Sequence, residues 1–159
     1  MREILEILEK NSKATTGEIT AMTGYSEAEV ADAIAEFEKN GTIRGYKAVI
    51  NWDKTDRDFV TALIEVKLTP QRDKGFDRMA ARIYKYPQVR ACYLMSGSYD
   101  LTVIVEGAGL KEVAMFVSEK LSVIDGVLST ATHFVLKKYK DGNILLEGKE
   151  DDDREAIVL

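Results

Sequence analysis

The sequence predicts an α+β chain in two parts, an N-terminal winged helix-turn-helix and a C-terminal ferredoxin-like sheet of βαββαβ order. Three observations predict it. Two capping-box patterns, Thr15-x-x-Glu18 and Ser26-x-x-Glu29, open helices before and after a Gly24-Tyr25 break, the arrangement of two helices joined by a tight turn. After Asp58 the apolar pattern changes from helical spacing to strand alternation. Strand, helix, strand, strand, helix and strand signals then follow in that order, which defines a ferredoxin-like sheet.

In the first part, residues 1–51, Ile4, Leu5, Ile7 and Leu8 form one apolar stripe on a helix that Asn11 and Ser12 end. The second helix has Ile19 and Met22 as its apolar side. The third carries Val30, Ile34 and Phe37 at i, i+4 and i+7, and Gly41 stops it. Residues 43–50 read as a small β-hairpin turning near Gly45, the wing. Residues 52–58, Trp52-Asp53-Lys54-Thr55-Asp56-Arg57-Asp58, are mostly charged, have no period and read as a linker.

In the second part, residues 59–140, the first strand is 59–69, with Val60, Ala62, Ile64, Val66 and Leu68 on one face and Pro70 at its end. A helix over 74–86 turns Phe76, Met79, Ala80 and Ile83 inward until Pro87 stops it. Strands over 89–96 and 101–106 flank the turn Gly97-Ser98-Tyr99-Asp100. A helix over 110–124 buries Leu110, Val113, Val117 and Leu121; Gly126 closes it and a strand runs over 127–139. Both helices belong on one face of the sheet. Leu63, Tyr93, Met95, Thr102 and Ile104 fall on alternate positions of the other. An apolar face with no helices over it needs a cover, and a second copy is the simplest one, so the sequence predicts a homodimer made sheet against sheet. Residues 141–159 hold the turn Asp141-Gly142-Asn143, a short strand near Ile144, a charge run from Glu147 to Glu155 that keeps the tail solvated, and a terminal Ala-Ile-Val-Leu.

At 159 residues and 45% hydrophobic, the chain can bury a core in each part. No apolar run approaches the roughly 20 residues that span a bilayer, and the charged N-terminus is no signal peptide, so the expected location is cytoplasmic, with no membrane partner. One cysteine, Cys92, excludes an intrachain disulfide. The net charge of −5 argues by itself against a nucleic-acid binder. It is unevenly spread: residues 1–52 hold six Lys/Arg against nine Asp/Glu, residues 53–146 fourteen against twelve, and residues 147–159 two against six.

Several short signatures, in order and at matching distances over nearly all of residues 1–140, resemble the Lrp/AsnC family, the leucine-responsive and asparagine-synthesis regulators. Ile7-Leu8-Glu9-Lys10-Asn11 is similar to the end of that family's first helix. Thr23-Gly24-Tyr25-Ser26 resembles its turn into the recognition helix. Asn40-Gly41-Thr42-Ile43-Arg44-Gly45-Tyr46 resembles its helix end and wing. Gly97-x-Tyr99-Asp100-Leu101 and Gly126-Val127-x-x-Thr130-x-Thr132 resemble its middle turn and the start of its last strand. The resemblance implies a regulator rather than an enzyme, without a cofactor. It implies a DNA-reading head, a ligand-sensing RAM or ACT-like domain taking a small effector such as an amino acid, and dimers that often build tetramers or octamers.

A helix-turn-helix places the start of its second helix in the major groove. The outward positions there are Glu27, Ala28, Ala31, Asp32 and Ala35, none of them basic, which departs from the family pattern and costs affinity beside phosphates. Tyr25 and Ser26 can add neutral hydrogen bonds. Arg44 and Lys47, on the expected wing, can meet phosphates or the minor groove; Lys10, Lys13 and Lys39 are further bases of this part. The candidate DNA-binding set is therefore Tyr25, Ser26, Glu27, Ala31, Arg44 and Lys47, with weak binding per chain strengthened by assembly. The alternative is a degenerate helix-turn-helix kept only for assembly.

For the effector, Asp100 can accept from an α-ammonium, backbone amides near Gly97 and Ser98 can donate to a carboxylate, and Thr130 and Thr132 share one face of the last strand. By the resemblance, effectors sit between subunits near these motifs, so the candidates are Gly97, Tyr99, Asp100, Thr130 and Thr132. The same turn also fits an ordinary hairpin in which the tyrosine packs and the aspartate caps backbone.

Other residues point to no chemistry. His133 is the only histidine and suits a cross-strand role better than a metal site, for which no candidates stand out. Cys92 reads as a small hydrophobe in a strand. Gly107-Ala108-Gly109 is too short for a dinucleotide loop, and the aspartates at 151–153 lack the spacing of a calcium loop. Two rival functions stay open. One is a tetrapyrrole decarboxylase-like enzyme of the same architecture, which a lone histidine disfavours. The other is an effector-sensing module that assembles with a regulator without binding DNA.

Overall fold

The computed structural model describes residues 1–70 and 75–147. The expected helix start at Lys74, most of the charge run, the aspartates at 151–153 and the terminal Ala-Ile-Val-Leu lie outside them. The chain divides into two compact units between Ile50 and Asn51.

The first unit holds helices α1 (Arg2–Lys10), α2 (Thr16–Thr23) and α3 (Glu27–Lys39). Both capping boxes form. The Thr15 and Ser26 side chains each accept from the backbone N–H three residues on, and Glu18 and Glu29 reach back to the cap residue. Two otherwise unpaired N–H groups are thereby satisfied at each helix start. Gly24, at φ 78°, makes the left-handed turn between α2 and α3. Ile4, Leu8, Ile19, Val30 and Ala33 are buried together. Met22, expected on the inner side of α2, is 69% exposed; Ile19 is the only residue of α2 that is buried.

The hairpin expected over 43–50 does not form: these residues carry no strand. A tight two-residue hairpin turn needs positive φ, and Gly45 does not have it, whereas Gly41 does, at 77°. The left-handed step is used to end α3, and the Ile43 N–H donates back to the Phe37 carbonyl. A two-stranded ribbon with no further strand beside it is also only marginally stable.

The second unit contains β1 (Val60–Leu68), α4 (Gly75–Ile83), β2 (Val89–Leu94), β3 (Leu101–Gly107), α5 (Leu110–Phe116), β4 (Val127–Phe134) and a small ribbon of β5 (Lys140–Asp141) and β6 (Ile144–Leu145). α5 runs on as a wider π-turn over Val117–Leu121. The main sheet has the order β2-β3-β1-β4, all neighbours antiparallel, as the βαββαβ order requires. Directly opposed residues of antiparallel strands share a face. Ala62, Ile64 and Val66 of β1, with Leu101, Val103 and Val105 of β3, therefore form one face and bury against Met79, Ile83, Val113, Phe116, Val117 and Leu121. Leu110, expected inward, is 58% exposed in the first turn of α5. Leu63, Ile104, Thr102 and Tyr93 fall on the opposite, open face by the same register. Tyr93 there is 56% and Met95, just past the strand, 40% exposed.

Residues 52–58, expected as an irregular linker, group with the second unit. Trp52–Lys54 is a turn of 3-10 helix. The Arg57 guanidinium lies 4.5 Å from the Trp52 ring centre and 5.0 Å from that of Phe59, and the two rings meet edge to face. Asn51 donates to the Leu146 carbonyl at 2.7 Å.

Candidate nucleic-acid interface and effector site

α3 follows the left-handed turn at Gly24, with Ser26 as its cap. The cap consumes Ser26. Its hydroxyl donates to Glu29 Oε2 at 2.8 Å and accepts from the Glu29 N–H, which also engages the carboxylate of Glu29. These hydrogen bonds, first from the Ser26 backbone and then from its hydroxyl, hold Glu29 below the usual carboxylate range, and the Thr15 pair does the same to Glu18. Tyr25 is half-buried, packs against the helix core and accepts from the Met1 ammonium at 3.1 Å. Glu27 is exposed, and its carboxylate lies over Gly17: a Cβ added there would stand 3.5 Å from Glu27 Oε1. Ala31 is exposed on α3.

Arg44 and Lys47 are exposed, and neither meets a carboxylate among the described residues. Arg44 folds back over Gly41, whose missing side chain makes room: an added Cβ would lie 3.2 Å from Arg44 Cζ. In the six-residue set, Arg44 and Lys47 are thus the cations free to meet a phosphate, while Tyr25 and Ser26 already serve the head's own structure.

In the second unit Asp100 is a tie between strands. Its Oδ2 accepts from the Leu68 N–H at 2.7 Å, its own N–H donates to the Val66 carbonyl at 3.0 Å, and its carbonyl accepts from the Met95 N–H at 2.8 Å. Tyr99 accepts from the Thr102 hydroxyl at 3.2 Å, and Thr102 belongs to the open face. Gly97 is exposed with nothing near its missing side chain. Thr130 and Thr132 oppose Val66 and Ile64, so they share the helix-covered side at the β4 edge, and Thr130 Oγ1 lies 3.4 Å from Ser122 Oγ. Asp100 and Thr130 therefore stand at one end of the sheet with β1 between them, while Tyr99 and the two threonines turn to opposite faces. Among the described residues, no hydrogen bond joins the Gly97–Asp100 turn to Thr130 or Thr132. An open groove of about 490 Å³ lies elsewhere, lined by Gln88, Lys111, Glu112, Met115, Phe116 and Glu119 among others.

These arrangements match known proteins. A sequence profile for the Lrp/AsnC ligand binding domain matches residues 61–145, and one for a winged helix-turn-helix DNA-binding domain matches residues 1–44. The chain belongs to the Lrp/AsnC family. It is 49% identical over 158 residues to the uncharacterized HTH-type transcriptional regulator YugG of Bacillus subtilis, covering 98% of this chain and 94% of that one. A transcriptional regulator of Neisseria meningitidis, solved as a complex with L-methionine, superposes with a TM-score of 0.68 at 24% identity over 87% of this chain and 89% of that one. A feast or famine regulatory protein of Mycobacterium tuberculosis, also complexed with L-methionine, gives 0.72 at 20% identity over 92% and 96%.

Sequence reasoning missed several partners in this Lrp/AsnC chain. Tyr46 donates to Glu38 Oε1 at 2.9 Å, and burial, then that carboxylate, pushes the phenol above its usual range. Ser122 and Leu68 carry no motif that marks them as partners of Thr130 and Asp100. His133 has a cross-strand role, with Nε2 3.4 Å from Glu65 Oε1 on the open face. Burial pushes the Cys92 thiol up, the setting of an unreactive cysteine.

Proposed function

We propose that this DNA-binding transcription regulator works as a dimer or larger assembly, bringing two or more heads to adjacent half-sites and taking an amino acid into its second unit. The observation that carries the reading is the coupling in one chain of a DNA-binding helix-turn-helix, residues 1–44, to a ligand binding domain, residues 61–145. The uncovered sheet face with Tyr93 and Met95 supports pairing of copies. Gly97, Tyr99, Asp100, Thr130 and Thr132 are scattered over both sides of one sheet end, which fits an effector held between copies better than inside one. The methionine complexes of the Neisseria and Mycobacterium proteins make amino acids the first ligands to try. Arg44 and Lys47 contact the phosphate backbone. The protein works in the cytoplasm; among the described residues no helix is long and apolar enough to cross a membrane. The regulators' names borne by its relatives favour this reading over a tetrapyrrole decarboxylase.

A second reading, an assembly module that does not bind DNA, is favoured by the acidic surface of α3. Fluorescence anisotropy separates the two, using labelled duplex from upstream of the protein's own gene at two salt concentrations, with and without an amino-acid panel. Regulation by DNA binding predicts retention that falls steeply with salt and shifts with at least one amino acid. No retention at low salt, together with a thermal shift from an amino acid, selects the module.

A further inference from the structure

α3 presents two opposite stripes of equal spacing. Val30, Ala33, Ile34 and Phe37 turn to the core of the first unit. Ala28, Ala31, Asp32 and Ala35 repeat the same i, i+3, i+4, i+7 pattern on the exposed side. Glu29 is engaged by its cap and Glu27 is turned toward Gly17. Asp32 remains as a short carboxylate amid three methyl groups, and no hydrogen bond or ion pair engages it among the described residues.

We propose that Asp32 reads the exocyclic amino group of a cytosine in the major groove, with the alanine methyls around it against thymine methyl groups. This rests on α3 being the helix that enters the groove. A carboxylate can only accept. In that groove guanine offers two acceptors, thymine an acceptor and a methyl group, adenine a donor beside an acceptor, and cytosine a donor alone. An aspartate therefore selects cytosine mainly by rejecting the other edges, because a desolvated carboxylate left without a donor is costly. Three alanines keep the stripe shallow, so the helix can come close enough for a carboxylate on a single methylene to reach. The acidity of α3 lowers affinity for every duplex alike through phosphate repulsion, so the contrast between right and wrong sequences rests on the cytosine contact itself.

The test is selection of binding sites from a randomised duplex pool by the full chain, its Asp32→Asn variant and its Asp32→Ala variant, each checked for unchanged thermal unfolding. The parent should enrich cytosine at one position per half-site, about fivefold or more over the other bases. Asp32→Asn should move that position toward adenine, whose N6 and N7 an amide matches, and Asp32→Ala should lose the cytosine preference. If Asp32→Asn keeps the parent's preference, Asp32 does not read that base. A parent that binds mixed duplex in a salt-dependent way but enriches no sequence overturns base reading alone. A parent that retains no duplex at low salt overturns DNA binding with it.

Discussion

Replacing Asp100 by alanine decides whether this residue is a strand tie or a ligand group. In the folded chain its carboxylate accepts from the Leu68 N–H at 2.7 Å, and Leu68 is only 4% exposed. Truncation leaves that N–H without its charged acceptor at a site with little room for water. Hydrogen bonds to charged groups contribute roughly 1.5–3 kcal/mol, and a donor left unsatisfied costs a similar amount. Asp100→Ala should therefore destabilise the second unit by about 2 kcal/mol, or about 8–10 °C in Tm for a domain of this size. Asp100→Asn keeps an acceptor without its charge and should lose about half as much. The assay is urea unfolding at fixed protein concentration, followed by the fluorescence of the chain's single tryptophan, Trp52, which lies in the second unit. The midpoint should fall with an unchanged slope, which places the change in stability rather than in the unfolded state. If Asp100→Ala unfolds within about 0.5 kcal/mol of the parent yet no longer responds to an amino acid that shifts the parent, the tie is not what the residue is for.

Three further outcomes follow from the geometry. Replacing both Arg44 and Lys47 with alanine should weaken duplex binding and lower the salt slope by roughly one to two ions per head; a titration of equal slope removes both from the phosphate contacts. Hydrogen bonding lowers the folded-state pKa of Glu18 and Glu29, so their stabilisation of the head is present above the ordinary carboxylate range and is lost as pH falls through the depressed values. A Glu18→Gln, Glu29→Gln variant should melt earlier than the parent at neutral pH, yet lose less on acidification to about pH 3, below the ordinary carboxylate range, as read by circular dichroism; parallel declines would refute the capping account. Arg57→Ala removes the cation stacked on Trp52, so the tryptophan emission of the folded protein should shift while ring contact with Phe59 keeps the fold. An unchanged spectrum would mean that the stack does not persist in solution.

Much of this protein was legible in the sequence because the deciding interactions are local. Each capping box joins residues three apart, so Thr15, Glu18, Ser26 and Glu29 could be assigned their bonds before any fold was known. Strand alternation, helix periodicity and element order likewise determined the sheet and its buried face. What only tertiary structure decided depends on partners distant in the chain. The strand pairing expected over 43–50 is absent because Gly41, not Gly45, takes the left-handed step. Periodicity placed Met22 and Leu110 inward, but a stripe is buried only as far as the neighbouring surface extends. The faces of Thr130 and Thr132 were settled by the β1–β4 register, and the tie from Asp100 to Leu68 by strands folding side by side, because contacts between distant residues leave no spacing in the sequence for a reader to find.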